Sequence, residues 1–245
     1  MTAFVKPNCS PVGGGFDPEA AILKKNAQLQ EGPSDRTVSR FIYLHGFASG
    51  PSSKKARFFS ERFAELGIGL EVPELAEGNL AGLTISGQLA VVERIAAGEP
   101  VSLIGSSMGG YLAALYAARH PEVERLVLLA PAFSFLSRWP ETLGAEVMEQ
   151  WRRTGTLRIF NYAQVQDADL GYQLIEDAAQ YEAYPDFGQP AVIFHGRKDT
   201  VVPADYSVKF AAGHANARLE LLNSDHELVN VLDDMWMEAQ PFLFG

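Results

Sequence analysis

The sequence predicts an α/β fold with a mostly parallel central sheet flanked by helices. Apolar segments rich in strand formers alternate at short spacing with segments of helical periodicity from Phe41 onward. Such alternation is typical of parallel strands joined by crossover helices. The strand-like segments are also nearly continuous in apolar residues, as expected for strands buried on both faces. The length of 245 residues suits one large α/β domain or two small ones.

The first part of this pattern contains four predicted strands and three predicted helices. The strands are RFIYLHG, IGLEVPEL, PVSLIG and VERLVLLAP, and the helices between them are SSKKARFFSERFAELG, TISGQLAVVERIAAG and GGYLAALYAARHP. In the first helix, apolar side chains recur near helical spacing at Phe58, Phe59, Phe63 and Leu66, and Gly67 follows as a stop signal.

A longer segment, from about 134 to 187, interrupts the alternation. It is rich in aromatic side chains: Phe135, Trp139, Trp151, Phe160, Tyr162, Tyr172, Tyr181 and Tyr184. Within it, PETLGAEVMEQWRRTG predicts one amphipathic helix and YQLIEDAAQY another. The alternation then resumes with the strand PAVIFHG, the helix ADYSVKFAAGH, the strand RLELLNSDH and the helix ELVNVLDDMWMEAQPFL.

Residues 1–38 differ from the rest because they are rich in Gly, Pro, Ser and Asn. They predict a loosely ordered extension with one short helix that Asp17 would cap, before a single domain over 39–245. The first residues lack a basic region followed by an apolar run, so no secretory signal is indicated and a cytoplasmic location is predicted. The lone cysteine, Cys9, can form neither an internal disulfide nor a cysteine-based metal site.

The net charge of -10 disfavours nucleic acids and anionic membrane surfaces as partners. The uncharged stretch from Val101 to Ala118, VSLIGSSMGGYLAALYAA, approaches the length of a membrane span. Its centre is only weakly apolar, however, and no aromatic belt or Lys/Arg cluster flanks it. We therefore predict no membrane span. No feature of the sequence indicates an oligomeric state.

The same stretch reads as a strand, a tight turn and a helix, and the turn has the pattern G-x-S-x-G. Gly105 and Gly109 flank Ser107 on either side. A serine at such a turn adopts a strained backbone conformation, and glycines are needed where larger residues would clash. Ser107 is the candidate nucleophile, and the next amide, that of Met108, would face a developing oxyanion. Ser106 is the fallback nucleophile.

A serine nucleophile needs a base, and the candidates are His45, His120, His195, His214 and His226. His226 follows the last predicted strand and precedes the last helix, which places it at the carboxyl edge of the sheet. It is the best candidate base. The base needs an orienting carboxylate. Asp199 lies in the loop after the fifth predicted strand, at the same edge, and its nearest rivals are Asp205 and Asp225.

Together these motifs resemble the α/β-hydrolase superfamily. YLHGF, GSSMGG, HGRKDTVVP and SDHEL occur in its order and spacing, from about Phe41 to the C-terminus, and its catalytic residues run Ser, Asp, His along the chain. HGFASGPSSKKARFF together with GSSMGGYLAALYA is similar to small bacterial serine esterases and palmitoyl-thioesterase-like hydrolases. The chain would begin at the third strand of that family.

The resemblance implies an α/β-hydrolase fold with a small helical cap inserted after the fourth predicted strand. It also implies a triad of Ser107, Asp199 and His226, with Phe47 and Met108 as oxyanion donors. The expected substrate is a small-molecule carboxylic ester or thioester, and no cofactor is expected. An amidase, a peptidase, a C–C hydrolase or a ligand-binding protein without activity would use the same scaffold.

Two other chemistries are disfavoured by the spacing of the residues they need. GFASGPSSKK contains glycines and lysines but not the G-x-x-x-x-G-K-[ST] pattern of a phosphate-binding loop. The sequence has no H-E-x-x-H or clustered His/Asp pattern, so no metal site is predicted.

Overall fold

The structure is a computed structural model that describes residues 40–245. The predicted extension over 1–38, with its Asp17 helix, and Cys9 lie outside the described residues. Within residues 40–245, no helix is long and apolar enough to cross a membrane.

A five-stranded parallel sheet forms the centre of the fold. The strands of the chain are β1 (Arg40–Leu44), β2 (Val101–Ser106), β3 (Val123–Leu129), β4 (Thr156–Asn161), β5 (Gln166–Gly171), β6 (Ala191–Gly196) and β7 (Ala217–Leu222). The central sheet has the order β1-β2-β3-β6-β7, and every neighbouring pair in it is parallel. The prediction of a mostly parallel central sheet is therefore confirmed.

Helices cover both faces of this sheet. They are α1 (Lys54–Glu65), α2 (Ile85–Ala96), α3 (Met108–Ala117), α4 (Phe135–Leu143), α5 (Ala145–Thr154), α6 (Gln173–Ala178), α7 (Asp205–Gly213) and α8 (Leu232–Phe244). Successive strand residues point to opposite faces. Phe41 and Tyr43 pack with α1 and α8, whereas Ile42 and Leu44 pack with α2, α3 and the insertion.

Helix α3 explains the long uncharged stretch that the sequence shows. All ten of its residues are buried, because it lies between the sheet and the elements of the insertion. A helix enclosed on every side is apolar around its whole circumference. The stretch is thus a buried strand followed by a buried helix.

The predicted second strand, IGLEVPEL, is wrong. Only Glu71 pairs with the sheet, in a single bridge to Ile42. The amide of Tyr43 donates to the Glu71 carbonyl at 2.7 Å, and the Glu71 amide donates to Phe41 at 2.9 Å. Two residues further on, where the next bond would form, stands Pro73. Because proline has no amide hydrogen, the ladder stops after one step.

The insertion also differs from its prediction. The single amphipathic helix predicted over residues 140–155 is two helices, α4 and α5, which meet at Gly144 with φ of 79°. Between α5 and α6 lies the antiparallel hairpin β4–β5, which the sequence pattern does not predict. The insertion is therefore not purely helical. The last predicted helix likewise starts later than predicted, at Leu232, after a 3-10 turn over Val229–Val231.

Candidate active site

Ser107 occupies the turn between β2 and α3 with φ of 54° and ψ of -118°. A positive φ is strained for a residue with a side chain, and the surroundings must hold it. The Ser107 amide donates to the Leu129 carbonyl at 2.8 Å, and its carbonyl accepts from the Ala132 amide at 2.9 Å. The end of β3 therefore fixes the serine from both sides.

The two flanking glycines allow backbone segments to approach closely. A Cβ at Gly105 would lie 2.7 Å from the Cα of Gly110. A Cβ at Gly109 would lie 2.6 Å from the carbonyl oxygen of His45 and would overlap that of Leu44. Only glycine fits at either position, because the obstructing atoms belong to backbone rather than to flexible side chains.

His226 lies in the loop after β7 and contacts Ser107 directly. Its Nε2 is 3.0 Å from the Ser107 Oγ, and its Nδ1 is 2.7 Å from Oδ2 of Asp199. An ionised carboxylate only accepts hydrogen bonds, so Nδ1 carries the proton and Nε2 accepts from the serine hydroxyl. Lys55, from the first turn of α1, holds this loop by donating to the carbonyl of Glu227 at 2.8 Å.

Asp199, in the loop after β6, has a buried carboxylate that accepts four hydrogen bonds. Its Oδ1 accepts from the amides of Val201 at 2.8 Å and Val202 at 2.7 Å. Its Oδ2 accepts from His226 at 2.7 Å and from His195 at 3.1 Å. Burial alone would raise the pKa of Asp199, but the bonds from His195, His226 and Val202 outweigh it and lower the pKa below its ordinary value.

His195 is a second histidine on the same carboxylate, and sequence reasoning gives it no role. Its Nε2 lies 2.7 Å from the Val202 carbonyl and 3.1 Å from Asp199, and its Nδ1 lies 2.8 Å from the Ser207 hydroxyl. A carbonyl can only accept, so Nε2 carries the proton and Nδ1 accepts. The spacing of four residues before Asp199, at the end of a strand, is the only sequence signal that could have indicated this role.

The amides of Phe47 and Met108 are available to an incoming ligand. Neither donates a backbone hydrogen bond to another residue in the part of the chain that is described, and both residues line the cavity that contains Ser107. His45 anchors the preceding turn. Its Nδ1 lies 3.0 Å from the Gly46 carbonyl, and its Nε2 accepts from the Leu75 amide at 3.2 Å. Burial lowers the pKa of His45, which favours this neutral form.

The rival candidates lie away from this arrangement. Ser106 is buried within β2. Asp205 is exposed in the first turn of α7. Asp225 is exposed and accepts from the Glu227 amide at 3.0 Å. His120 contacts Glu122, and His214 bonds to the carbonyl of Phe210, so neither reaches the serine.

A family model described as an uncharacterised protein family, UPF0227, matches residues 40–241. The chain belongs to the UPF0227 family. Among curated proteins, none matches the sequence significantly.

Solved structures show which fold this UPF0227 member shares. Alpha/beta hydrolase domain-containing protein 10 from mouse has a TM-score of 0.71 at 22% identity, over 84% of this chain and 90% of that one. Est1E from Butyrivibrio proteoclasticus, with ferulic acid bound, has a TM-score of 0.70 at 19% identity, over 84% and 88%. A monoacylglycerol lipase from Paleococcus ferrophilus has a TM-score of 0.65 at 15% identity, over 83% and 93%. The chain therefore has the α/β-hydrolase fold.

In this UPF0227 member, a cavity of about 410 Å³ opens beside Ser107. Helix α4 of the insertion supplies most of one wall, and the loop after β6 supplies another; the lining includes Phe135, Trp139, Leu143, Val201 and Val202. Of the eight insertion aromatics named above, Phe135 and Trp139 line this cavity. Others pack elsewhere: Trp151 is buried against Trp139, and Phe160 packs on Tyr162 at the surface. The cavity is thus largely apolar next to the serine.

Within residues 40–245, no group of three or more His, Cys, Asp or Glu side chains is arranged to hold a metal ion. The polar atoms around Ser107 bond to one another instead.

The lowered pKa of Asp199 predicts how stability depends on pH in this UPF0227 member. The pKa is lower in the folded than in the unfolded chain, where it is about 3.9. The unfolded state therefore binds more protons near that pH, and the contribution of Asp199 to stability is complete above about pH 5 and is lost as pH falls further. We expect the difference in free energy of unfolding between wild type and Asp199→Asn to shrink as the pH falls from 5 towards 3.

Urea denaturation followed by circular dichroism at these pH values measures the difference. Asp225→Asn, an exposed carboxylate near the same histidine, is the matched control and should show no comparable change. A wild-type advantage over Asp199→Asn that persists undiminished at pH 3 would contradict the prediction.

Proposed function

We propose that the protein is a serine hydrolase that cleaves carboxylic esters or thioesters through Ser107, His226 and Asp199. One observation carries the proposal: the unbroken chain of hydrogen bonds from Oγ of Ser107 through the imidazole to a buried carboxylate. A hydroxyl becomes a competent nucleophile when a positioned base takes its proton. The strained serine backbone and the open cavity beside it support the same interpretation.

Acylation starts when Nε2 of His226 accepts the proton of Ser107 as Oγ attacks the acyl carbon. The resulting imidazolium keeps its Nδ1 proton bonded to Asp199, which remains ionised because its pKa is low. Its Nε2 proton then passes to the oxygen or sulfur of the leaving group. The acyl group stays on Ser107 as an ester.

The amides of Met108 and Phe47 would bind the negative charge that develops on the carbonyl oxygen. Met108 is the first residue of α3, so its amide has no partner within the helix, and the helix N-terminus itself favours an anion. In deacylation His226 takes a proton from water, the hydroxide attacks the acyl carbon, and Ser107 recovers its proton.

The apolar cavity suits the acyl part of the substrate, because aromatic and aliphatic side chains line it. Two similar structures support a carboxylic ester as the substrate class: one has ferulic acid bound and another is a monoacylglycerol lipase. The substrate is accordingly proposed to be a small-molecule ester or thioester.

The test measures burst kinetics with a short and a long p-nitrophenyl acyl ester, together with the intact mass of the enzyme. We expect a burst of p-nitrophenol, an acyl adduct on Ser107 and labelling of Ser107 by a fluorophosphonate. All three should disappear in Ser107→Ala. Ser106→Ala is the matched control and should keep them, because Ser106 lies inside β2.

The outcomes separate the alternatives. Faster turnover of a matching p-nitroanilide than of the ester would replace the esterase with an amidase. Absence of a burst with both esters, with Ser107 unlabelled by the fluorophosphonate, would overturn the nucleophile and leave a binding protein on the hydrolase scaffold.

A further inference from the structure

A second cavity, of about 520 Å³, lies next to the first one, and its walls are mixed, with a larger polar share than those of the first cavity. Three separate parts of the chain form most of it, namely the segment 45–52, the segment 74–83 and the hairpin β4–β5, and Gln88 and Met108 complete it. The polar side chains in its walls include Ser52, Glu74, Asn79, Gln88, Asn161 and Asp169. The mechanism above gives none of them a role.

This second cavity ends next to the nucleophile. Gly46 forms part of its wall, and a Cβ built at Gly46 would lie 4.0 Å from Oγ of Ser107. Ala48 lines the same cavity, whereas Phe47 between them lines the apolar one. Met108 lines both. The two cavities therefore meet at the segment that carries the proposed oxyanion donors, and one substrate held at Ser107 can extend into each.

Gln88 provides an acceptor that no residue in the described chain uses. The side chain is 1% exposed, and its Nε2 donates to the Thr84 carbonyl at 2.9 Å. Its Oε1 is buried without a hydrogen-bond partner, and Gln88 is one of the residues that line the cavity. A buried carbonyl oxygen without a partner is destabilising, so a ligand hydroxyl that reached it would form a hydrogen bond that the described residues do not make.

The charges on the wall are negative. Glu74 accepts from two backbone amides, at 3.1 and 2.6 Å, and Asp169 stands at the hairpin, where Arg158 pairs with it at 3.3 Å. Within residues 40–245, no Lys or Arg lines the cavity itself. His45 is neutral, because both of its ring nitrogens are engaged and burial lowers its pKa. Carboxylate, phosphate and sulfate groups are therefore disfavoured.

Amide donors accompany these acceptors. Oδ1 of Asn79 accepts from the Gly82 amide at 2.9 Å, and Oδ1 of Asn161 accepts from the Ala163 amide at 3.0 Å. These bonds orient both carboxamides and leave their NH₂ groups without a partner among the described residues. A hydroxyl both donates and accepts, so a group that carries several hydroxyls matches this mixture of donors and acceptors.

We propose that the second cavity binds a neutral polyhydroxylated group, a sugar or glycerol unit, which is the alcohol part of the ester. Acylation forms the bond from Oγ of Ser107 to the acyl carbon and breaks the bond to the alcohol oxygen, which leaves with the proton from His226. The role as leaving group rests on the proposed function, whereas the binding site does not.

The kinetic test compares esters that share an octanoyl group and differ in their alcohol. We expect kcat/KM for the glucose ester to exceed that for the ethyl ester by about tenfold or more, equivalent to about 1.4 kcal/mol. The glucuronate ester should react more slowly than the glucose ester because of the wall's carboxylates. A glucose-to-ethyl ratio near one, or preference for the glucuronate or choline ester, would overturn the proposal.

Variants of the cavity wall test which residues cause the preference for the glucose ester over the ethyl ester. Gln88→Met should lower the glucose-to-ethyl ratio about tenfold, and Asp169→Asn about threefold, while kcat/KM for the ethyl ester changes little. Asp167→Asn is the matched control, because Asp167 is exposed on the same strand and does not line the cavity. An equal effect of Asp167→Asn and Asp169→Asn would contradict the assignment. Because Asp169 is exposed, its variant remains informative even if Gln88→Met folds poorly.

A binding experiment separates this proposal from the hydrolase proposal. Methyl glucoside is titrated into Ser107→Ala while amide chemical shifts are followed by NMR. We expect shifts confined to 45–52, 74–83, Gln88, Met108 and 161–169, reduced in Asp169→Asn. If no ester is hydrolysed but these shifts occur, the proposed function fails and the site stands. If esters are hydrolysed and no shifts occur at these segments, the polyol site is wrong.

Discussion

Replacing Asp199 by Asn is expected to lower kcat about 10,000-fold with the fold retained. The asparagine amide would present its NH₂ group to Nδ1 of His226, because its oxygen is required by the amides of Val201 and Val202. The imidazole would then turn its protonated nitrogen towards Ser107 and could not accept the hydroxyl proton. The variant would have a positioned histidine in the wrong tautomer.

Steady-state kinetics with the p-nitrophenyl esters, together with the circular dichroism spectrum, measures this effect. Asp225→Asn is the control, because Asp225 is adjacent to His226 in sequence but bonds only to the Glu227 amide. The kcat of this variant should lie within about twofold of the wild-type value, because substitutions at exposed positions usually have small effects. If kcat fell less than tenfold in Asp199→Asn, or fell further in Asp225→Asn than in Asp199→Asn, Asp199 would not be the orienting carboxylate.

The second large effect is expected at Gly109, where alanine should destabilise the protein by about 3 kcal/mol. The new Cβ would overlap the Leu44 carbonyl and lie 2.6 Å from the His45 carbonyl oxygen. Both obstructing atoms belong to the end of β1 and the turn after it, so relief requires the backbone to move. The amides of Phe47 and Met108 would then separate, and activity should fall with stability.

Urea denaturation measures the stability change and ester hydrolysis the activity change. Gly213→Ala is the matched control, because Gly213 ends helix α7 and a Cβ there would meet no atom within 4 Å. Its φ also lies outside the left-handed region, so alanine fits without strain. The free energy of unfolding of this variant should lie within about 0.5 kcal/mol of the wild-type value. A Gly109→Ala protein as stable as this control would show that the close approach of β1 to α3 does not exist.

The sequence predicts the order of the main elements well because each buried segment is long and uniform. Strands β1, β2, β3 and β6 and helix α3 are largely buried, so their composition alone identifies them. The edge segment around Glu71 has the same composition, but a single proline decides how many bonds it forms with β1. The hairpin β4–β5 is mostly exposed. In β4 only Leu157 and Ile159 alternate towards the core, and β5 carries Asp167 and Asp169, so the apolar pattern is too short to indicate two strands.

The sequence places the residues of the candidate site together for a related reason. Ser107, Asp199 and His226 each follow a strand, and parallel strands bring their carboxyl ends to one edge. The contact of Lys55 is not predictable from the sequence, because Lys55 bonds to a backbone carbonyl 172 residues away. No local pattern encodes such a contact. The second cavity depends on segments that are far apart in the sequence, and only the folded chain brings them together.

Different segments of the chain form the walls of the two cavities. Within the part of the chain that the structure describes, Met108 alone lines both cavities. Helix α4 shapes one, whereas the segment 74–83 and the hairpin β4–β5 shape the other. Loops vary faster during evolution than the scaffold that carries them. A substitution in α4 can therefore change one cavity without changing the other, while the strained turn at Ser107 stays the same.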